Sequence, residues 1–412
     1  MSDPLPVLIA GGGIGGLALA LALAYHGRRS RVLERQETPA TAGAGIQLGP
    51  NGVRALRWLG VADALQPQVG EPEAIVVRAG ASGRHLARLP LGRWIAERHG
   101  APYWVMHRGD LYGALAAAAA AHPLVDIHTG FEATAVEAEA GQVAVRDATG
   151  RSFTAPVLIG ADGLWSAVRQ ALLPGSVPRP AGAIAMRTVA PAGALEGLDP
   201  ASIGLWLSPA VHVVHYPVRQ GREIAVVVIA READARHGRG WNAQVDQGRL
   251  HRRLAPFHPS LTAALAPAAA DPRHWRQWTL YTLPPLPAWT HGRVVLLGDA
   301  AHPMLPYLAQ GGALALEDAI VLAGCIHAAA DPEAALVRFE ALRAARAGQV
   351  QAASLRQGRI YHLPPPLSWA RDAVLALAPG SRLMAGYDWL YAWRPPEAQV
   401  LAGAQGSEGF GR

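Results

Sequence analysis

The stretch Gly11-Gly12-Gly13-Ile14-Gly15-Gly16 has the residue types and the spacing that hold a pyrophosphate. Gly11, Gly13 and Gly16 fill the places of a G-x-G-x-x-G turn. The first permits the tight turn, the second lets backbone approach the phosphates, and the third lets a helix pack close on a strand. Gly15 stands inside the same turn and joins them as a candidate cofactor contact. Phosphate oxygens there would meet unpaired N–H groups and the positive end of a helix dipole. Glu34 follows at the distance of an acid that accepts hydrogen bonds from an adenosine ribose, and its charge disfavours a 2′-phosphate. The cluster points to NAD or FAD and does not choose between them.

The pattern around these residues gives the elements that must position them. Residues 7–10 read as a strand buried on both faces, 14–26 as the helix after the turn, Gly27 as its stop and 31–34 as a second strand. This is one βαβ unit. Helices are expected over 110–122 and 311–330, and strands over 143–145, 157–160 and 293–298. Residues 212–216 and 224–229 are β-rich and flank a turn-prone stretch at 219–222, which predicts an antiparallel sheet. Proline and glycine thicken at 283–287 and 363–366, as at boundaries. The expected fold class is α/β. A Rossmann-like dinucleotide domain takes 1–70, 101–180 and 280–360, an inserted antiparallel β-sheet domain for substrate takes 71–100 and 181–279, and a C-terminal helical segment takes 361–412.

Composition narrows the function. Half of the 412 residues are hydrophobic and 17% are charged, which suits a large buried core. The formal charge is +6, yet all 37 basic residues are arginine and none form a basic run, so a nucleic-acid partner is not expected. The single cysteine, Cys325, excludes a disulfide framework and a cysteine-ligated metal, and suits a reducing cytoplasm. Residues 7–25 carry no charge and resemble a membrane span by hydropathy. Their glycines argue instead for strand, turn and buried helix, and the leader Met1-Ser2-Asp3-Pro4 lacks the positive region of a signal peptide. His302 has no partner at metal-ligand spacing, so no metal site is expected.

Two later stretches choose the cofactor through a family resemblance. Residues 160–169 (GADGLWSAVR) resemble the "DG" motif of single-component, class A flavoprotein aromatic hydroxylases. Residues 292–303 (GRVVLLGDAAHP) resemble their "GD" motif almost residue for residue. Residues 43–48, 107–111 and 387–390 match the same group, so the likeness spans nearly the whole chain. The chain resembles salicylate, 3-hydroxybenzoate and 6-hydroxynicotinate hydroxylases. Gly312 departs from the pattern, standing where related sequences usually carry alanine.

The resemblance implies FAD in a GR2-type flavoprotein hydroxylase fold. It also implies NADH or NADPH as a transient reductant, O2 as oxidant, and hydroxylation of a small phenolic or hydroxypyridine carboxylic acid through a flavin C4a-hydroperoxide. Asp299, at the end of a buried strand, would accept from the ribitol hydroxyls, and the helix beginning at Gly311 and Gly312 would face the flavin's N1–C2=O edge. Arg108, with its planar donor fork, would reach the phosphates or ribitol, and Arg35 and Gln47 would line the cofactor. Asp162 either touches the cofactor or orders the loop that carries Arg169. For the substrate, His215 would face the ring and take the phenolic proton, with Tyr216 alternating to the opposite face and His212 a weaker rival. Pro306, Tyr307 and Gln310 belong to the loop beside the reactive edge, and Arg187 is a candidate anchor for a substrate carboxylate. A monomer or homodimer is expected. Two other readings remain open: a flavin monooxygenase acting on a larger polyketide-like ligand, and a non-catalytic FAD-binding protein.

Overall fold

The computed structural model describes residues 5–37, 44–139, 141–232, 243–270 and 274–397. Its first layer is a six-stranded sheet in the order Thr290–His291, Val294–Leu296, Leu158–Gly160, Val7–Ala10, Ser30–Leu33 and Val125–His128. All pairings are parallel except the first, which is antiparallel. Val7–Ala10 lies near the middle and is buried at all four positions, so its sequence is a continuous apolar run rather than an alternation.

The helix Ile14–Tyr25 follows the glycine turn and packs against the helix Gly311–Ala328. Both are apolar over most of their surface because both lie inside the core, and the two acids of the second, Glu317 and Asp318, are buried with it. Gly311–Ala328 is long and apolar enough to cross a membrane, but the protein itself covers most of it. The strand expected over 293–298 ends at Leu296, because Gly298, at φ +60°, turns the chain into the 3-10 turn Gly298–Ala300.

The second layer is an eight-stranded sheet in the order Ala243–Gln244, Arg276–Thr282, Arg179–Pro191, Glu223–Arg231, Val211–Val218, Ser202–Ser208, Ala74–Ala79 and His85–Pro90. It is antiparallel except where Ser202–Ser208 meets Ala74–Ala79, a parallel pair. No hairpin dictates direction there, since those strands come from distant parts of the chain. One face of this sheet packs on the helices Gln247–Leu254 and Pro259–Ala270 around Met186, Val213, Val228, Leu250, Leu261 and Trp275. The other face turns toward the glycine end of the first sheet. Between the two layers runs the short ribbon Gly45–Leu48 with Trp104–His107.

The helix Pro332–Tyr361 closes the far side and is tied down by buried charge. Arg343 bonds Asp318 at 2.6 Å and Glu317 at 2.7 Å, Arg346 bonds Glu317 at 2.7 Å, and His302 meets Asp318 at 2.6 Å. The arginines and carboxylates tolerate burial because each is paired and hydrogen-bonded. The helices Leu367–Leu377, Gly380–Ala385 and Asp388–Tyr391 then fold back over the eight-stranded sheet and the ribbon side.

Candidate active site

The glycines divide their labour. Gly11 sits at φ +109°, and a Cβ there would collide with the Ala161 carbonyl; a Cβ on Gly16 would collide with the Gly11 carbonyl. These two let strand, loop and helix close on one another. Gly13 and Gly15 line the cavity in front, and nothing stands within 4 Å of where a Cβ on Gly13 would be. Gly13 begins the helix Ile14–Tyr25 without any side-chain cap, so the first N–H groups of that helix remain available to an anion.

Glu34 holds the turn in place. Its carboxylate accepts from the Gly12 N–H at 2.8 Å and from the Gln36 N–H at 2.9 Å, with lone pairs left for a ribose. Arg35, the next residue, points to the surface, 3.6 Å from Glu132, and is not part of the cavity wall. The chain leaves the strand after Leu33, and this side chain stands 60% exposed.

Asp162 is likewise absent from the wall, although its neighbours Ala161 and Gly163 are in it. Its carboxylate accepts from the Ala167 N–H at 2.7 Å and the Val168 N–H at 3.2 Å, and so caps the helix Ala167–Leu172. These bonds use Oδ2 and order the loop that carries Arg169, while the Asp162 Oδ1 is buried with no partner. Arg169, on that helix, is fully buried and donates to the carbonyls of Leu164 at 2.6 Å and Ala300 at 2.9 Å, which ties this loop to the one bearing Asp299.

In front of the glycines, between the two sheets, lies a cavity of about 440 Å³, within the size range of ligand sites. Asp299 and Arg108 face it from opposite elements: the 3-10 turn Gly298–Ala300 and the start of the helix Arg108–Ala121. Burial raises the Asp299 carboxyl, against the pull of His302, Arg108 and Arg169. Burial also lowers Arg108, which Asp299 partly offsets. Gln310, Gly311 and Gly312 present the N-terminus of Gly311–Ala328 to the same space, again without a side-chain cap. Gln47 stands in the wall and accepts from the Tyr103 hydroxyl at 2.9 Å. Open space at one uncapped helix start, a carboxylate in the cavity wall and a second helix N-terminus together fit the two ends of FAD.

Sequence reasoning missed Asn51, which sets the direction of Gln310. The Asn51 Nδ2 donates to Glu317 at 2.8 Å and to the Gln310 Oε1 at 2.9 Å. Glu317, bonded to two arginines, is an acceptor only, so Asn51 must turn its NH2 this way. That uses the oxygen of Gln310 and leaves its Nε2, buried and unpartnered, as a donor at the cavity wall.

The substrate-side strand is turned the opposite way from the expectation. His212, Val214 and Tyr216 of Val211–Val218 line the cavity, whereas His215 lies behind the sheet, where it accepts from the Trp206 Nε1–H at 3.3 Å. Period-two alternation puts His215 with Val211 and Val213, which pack on the helices of the second layer. Gly204, directly across in register, makes room for the His215 ring, and Gly45 makes room for Tyr216 on the cavity side; a Cβ at either would strike the ring. Those two glycines are the signal that could have found the facing. Burial pushes His215 down to about 4, which keeps it neutral.

Arg187 is also in the wall, its guanidinium 4.6 Å from the centre of the Trp278 ring. Burial lowers it to about 10, helped by Arg108 and Arg276, so it stays charged at neutral pH. Pro306 and Tyr307 enter from the 3-10 turn Pro306–Leu308, and Gly358 leaves space for the Tyr307 ring. The end of the helix Pro332–Tyr361 adds Tyr361, and the C-terminal segment adds Met384, Tyr387 and Tyr391, none of which the sequence marked for the cavity.

The FAD binding domain family matches residues 4–360. The 3-hydroxybenzoate 6-hydroxylase of Klebsiella oxytoca is 34% identical over 96% of this chain and 98% of its own length. The 3-amino-4-hydroxybenzoate 2-monooxygenase PtmB3 of Streptomyces platensis is 37% identical over 94% of this chain and 96% of its own. The crystal structure of Klebsiella pneumoniae HpxO complexed with FAD and uric acid is 26% identical and superposes with a TM-score of 0.83, covering 98% of each chain. The chain therefore belongs to the FAD binding domain family and is an FAD-dependent aromatic-ring monooxygenase.

Proposed function

We propose that the enzyme hydroxylates a small aromatic carboxylic acid bearing a ring hydroxyl, a phenol or a hydroxypyridine, using NADH or NADPH and O2. The observation that carries this reading is the cavity's second wall: one charged guanidinium, Arg187, held on Trp278, with His212 and Tyr216 two strands away in the same sheet. FAD, when bound, supplies the hydride acceptor and the O2-activating centre. Gly13 and Gly15, the N-terminus of Ile14–Tyr25, Glu34, Arg108, Asp299 and the backbone of Gly311 and Gly312 hold it; Gln47 borders it.

The chain's remaining work concerns the ring. Arg187 takes the carboxylate and fixes which ring edge reaches the flavin. His212, in place of His215, accepts the hydroxyl proton and so raises the electron density of the ring. The Gln310 amide donates to an oxygen at the reacting edge. Pro306, Tyr307 and the tyrosines of the C-terminal helices exclude water. The cofactor half comprises 1–70, 101–180 and 280–360, the substrate half 71–100 and 181–279, and the enzyme works in the cytoplasm as a monomer or homodimer.

The test is NADH and NADPH consumption by the purified yellow protein with hydroxybenzoates, aminohydroxybenzoates and hydroxynicotinates. At least one is expected to stimulate oxidation and to yield a hydroxylated product. Failure of every ring acid to stimulate would remove the substrate class.

A further inference from the structure

We propose that His362 is the positioning residue of a two-histidine proton relay. It orients His212 toward the cavity and then takes on the proton that His212 receives from a ring hydroxyl. The proposal rests on the substrate reading above.

His212 Nδ1 and His362 Nε2 are 2.8 Å apart, and the rings are 5.0 Å apart at 43°. His212 lies in the cavity wall and is 2% exposed; His362 lies behind it, outside the wall, and is 3% exposed. With Nδ1 committed to His362, Nε2 is the His212 nitrogen left to face a bound ring. A histidine pair at this distance shares one proton, so one ring donates and the other accepts.

The surroundings decide the fate of an accepted proton. Tyr307 and Tyr361 pack on His212 at 5.7 and 5.1 Å between ring centres, and the charged groups nearest His362 are Arg231 and Arg371. Arg371 is itself engaged with the Ile360 and Tyr361 carbonyls and with Asp372. Among the described residues neither ring bonds a carboxylate, the usual partner that stabilises an imidazolium in place. Burial lowers both histidines, and Arg231 and Arg371 lower His362 further. The neutral pair is the resting form, and among the described residues neither ring has a carboxylate partner to keep an accepted proton on it. His362 also caps the C-terminal end of Pro332–Tyr361, where the helix dipole favours passing positive charge, while His212 sits in mid-strand. This sets the direction of transfer.

The steps balance without any redox partner. The ring hydroxyl loses its proton to His212 Nε2. The proton on His212 Nδ1 moves to His362 Nε2, and the proton on His362 Nδ1 leaves to water. The ring keeps the electron pair, and the histidines end as the other neutral tautomer, restored by reverse transfer after product leaves.

The experiment uses FAD-loaded enzyme and 3-hydroxy-4-nitrobenzoate, a ring acid whose hydroxyl gains colour on losing its proton. Stopped-flow mixing follows colour in wild type, His362→Gln and His362→Asn, which can accept a hydrogen bond but not a proton. The relay predicts colour forming at least about tenfold more slowly in both variants, with an unchanged final amplitude. It also predicts a wild-type rate that falls in D2O, and partial rescue of His362→Ala by imidazole. A purely structural role would move affinity or final amplitude and leave the isotope effect alone. Wild-type rates in the flavin-loaded variants overturn the relay, as does a wild-type rate unchanged in D2O, which requires no substitution. Failure of wild type to bind the probe at all overturns the substrate reading and the relay with it.

Discussion

Replacing Arg187 with methionine removes the fixed positive charge from the substrate wall while retaining an unbranched stem against Trp278. Arg187 is 8% exposed and its guanidinium is stacked 4.6 Å from that ring, so a carboxylate meeting it would be largely screened from water. Two unit charges about 4 Å apart attract by about 4 kcal/mol at the effective dielectric of partly enclosed protein sites. Desolvation of the incoming carboxylate and the residual field of Arg108 and Arg276 reduce the net loss to about 2–4 kcal/mol, or roughly thirty- to a thousandfold in Kd. The assay is the perturbation of the flavin spectrum on titrating wild type and Arg187→Met with 3-hydroxybenzoate and, separately, with phenol. Only the carboxylate ligand should weaken by that factor. Equal losses for both ligands would mean that Arg187 shapes the cavity rather than pairing with the acid.

His215→Ala should leave the hydroxylation rate near wild type while lowering unfolding stability by about 2–4 kcal/mol through the void beside Trp206, whereas His212→Ala should slow hydroxylation by about a hundredfold or more; single-turnover kinetics and urea unfolding separate the two. Asp299→Ala should weaken FAD by about ten- to a hundredfold, read by flavin fluorescence titration of the apoprotein, since it removes a charged acceptor from the ribitol end. Arg343→Met should cost about 3–5 kcal/mol in denaturant, because Asp318 and part of Glu317 are then buried without their ion partner. Acid sensitivity has a defined sign at Asp318. Burial pushes its carboxyl up, but Arg343 and His302 outweigh this and hold it below the ordinary aspartate value of 3.8. Its stabilising contribution is therefore present above that value and disappears as pH falls through the lowered one, and Asp318→Asn should flatten the acid limb of the unfolding profile.

The features legible in the sequence are local or tied to glycine. The turn at Gly11 to Gly16, the strand beneath it and the Asp299 loop follow from residue types that fit few other backbones, and the fold holds them where those types require. The facing of Val211–Val218 was not legible, because Val-His-Val-Val-His-Tyr-Pro-Val is nearly as apolar on one side as on the other. Only the partners, Gly204 behind and Gly45 in front, break that tie, and they lie in other strands. Asn51 and His362 were invisible for a related reason. Asn51 acts through partners 259 and 266 residues away in the chain and His362 through one 150 residues away, and such pairings leave no spacing signal.

Oxygen insertion into a ring acid held in this one cavity is the central claim. The direct measurement is turnover under isotopically heavy O2 with NADH or NADPH, using the ring acid that best stimulates oxidation, with mass analysis of the product. The expected product is heavier by a single labelled oxygen atom in wild type and is lost in His212→Ala with FAD still bound. An unlabelled product, or labelled product formed as fast without His212, would contradict the claim.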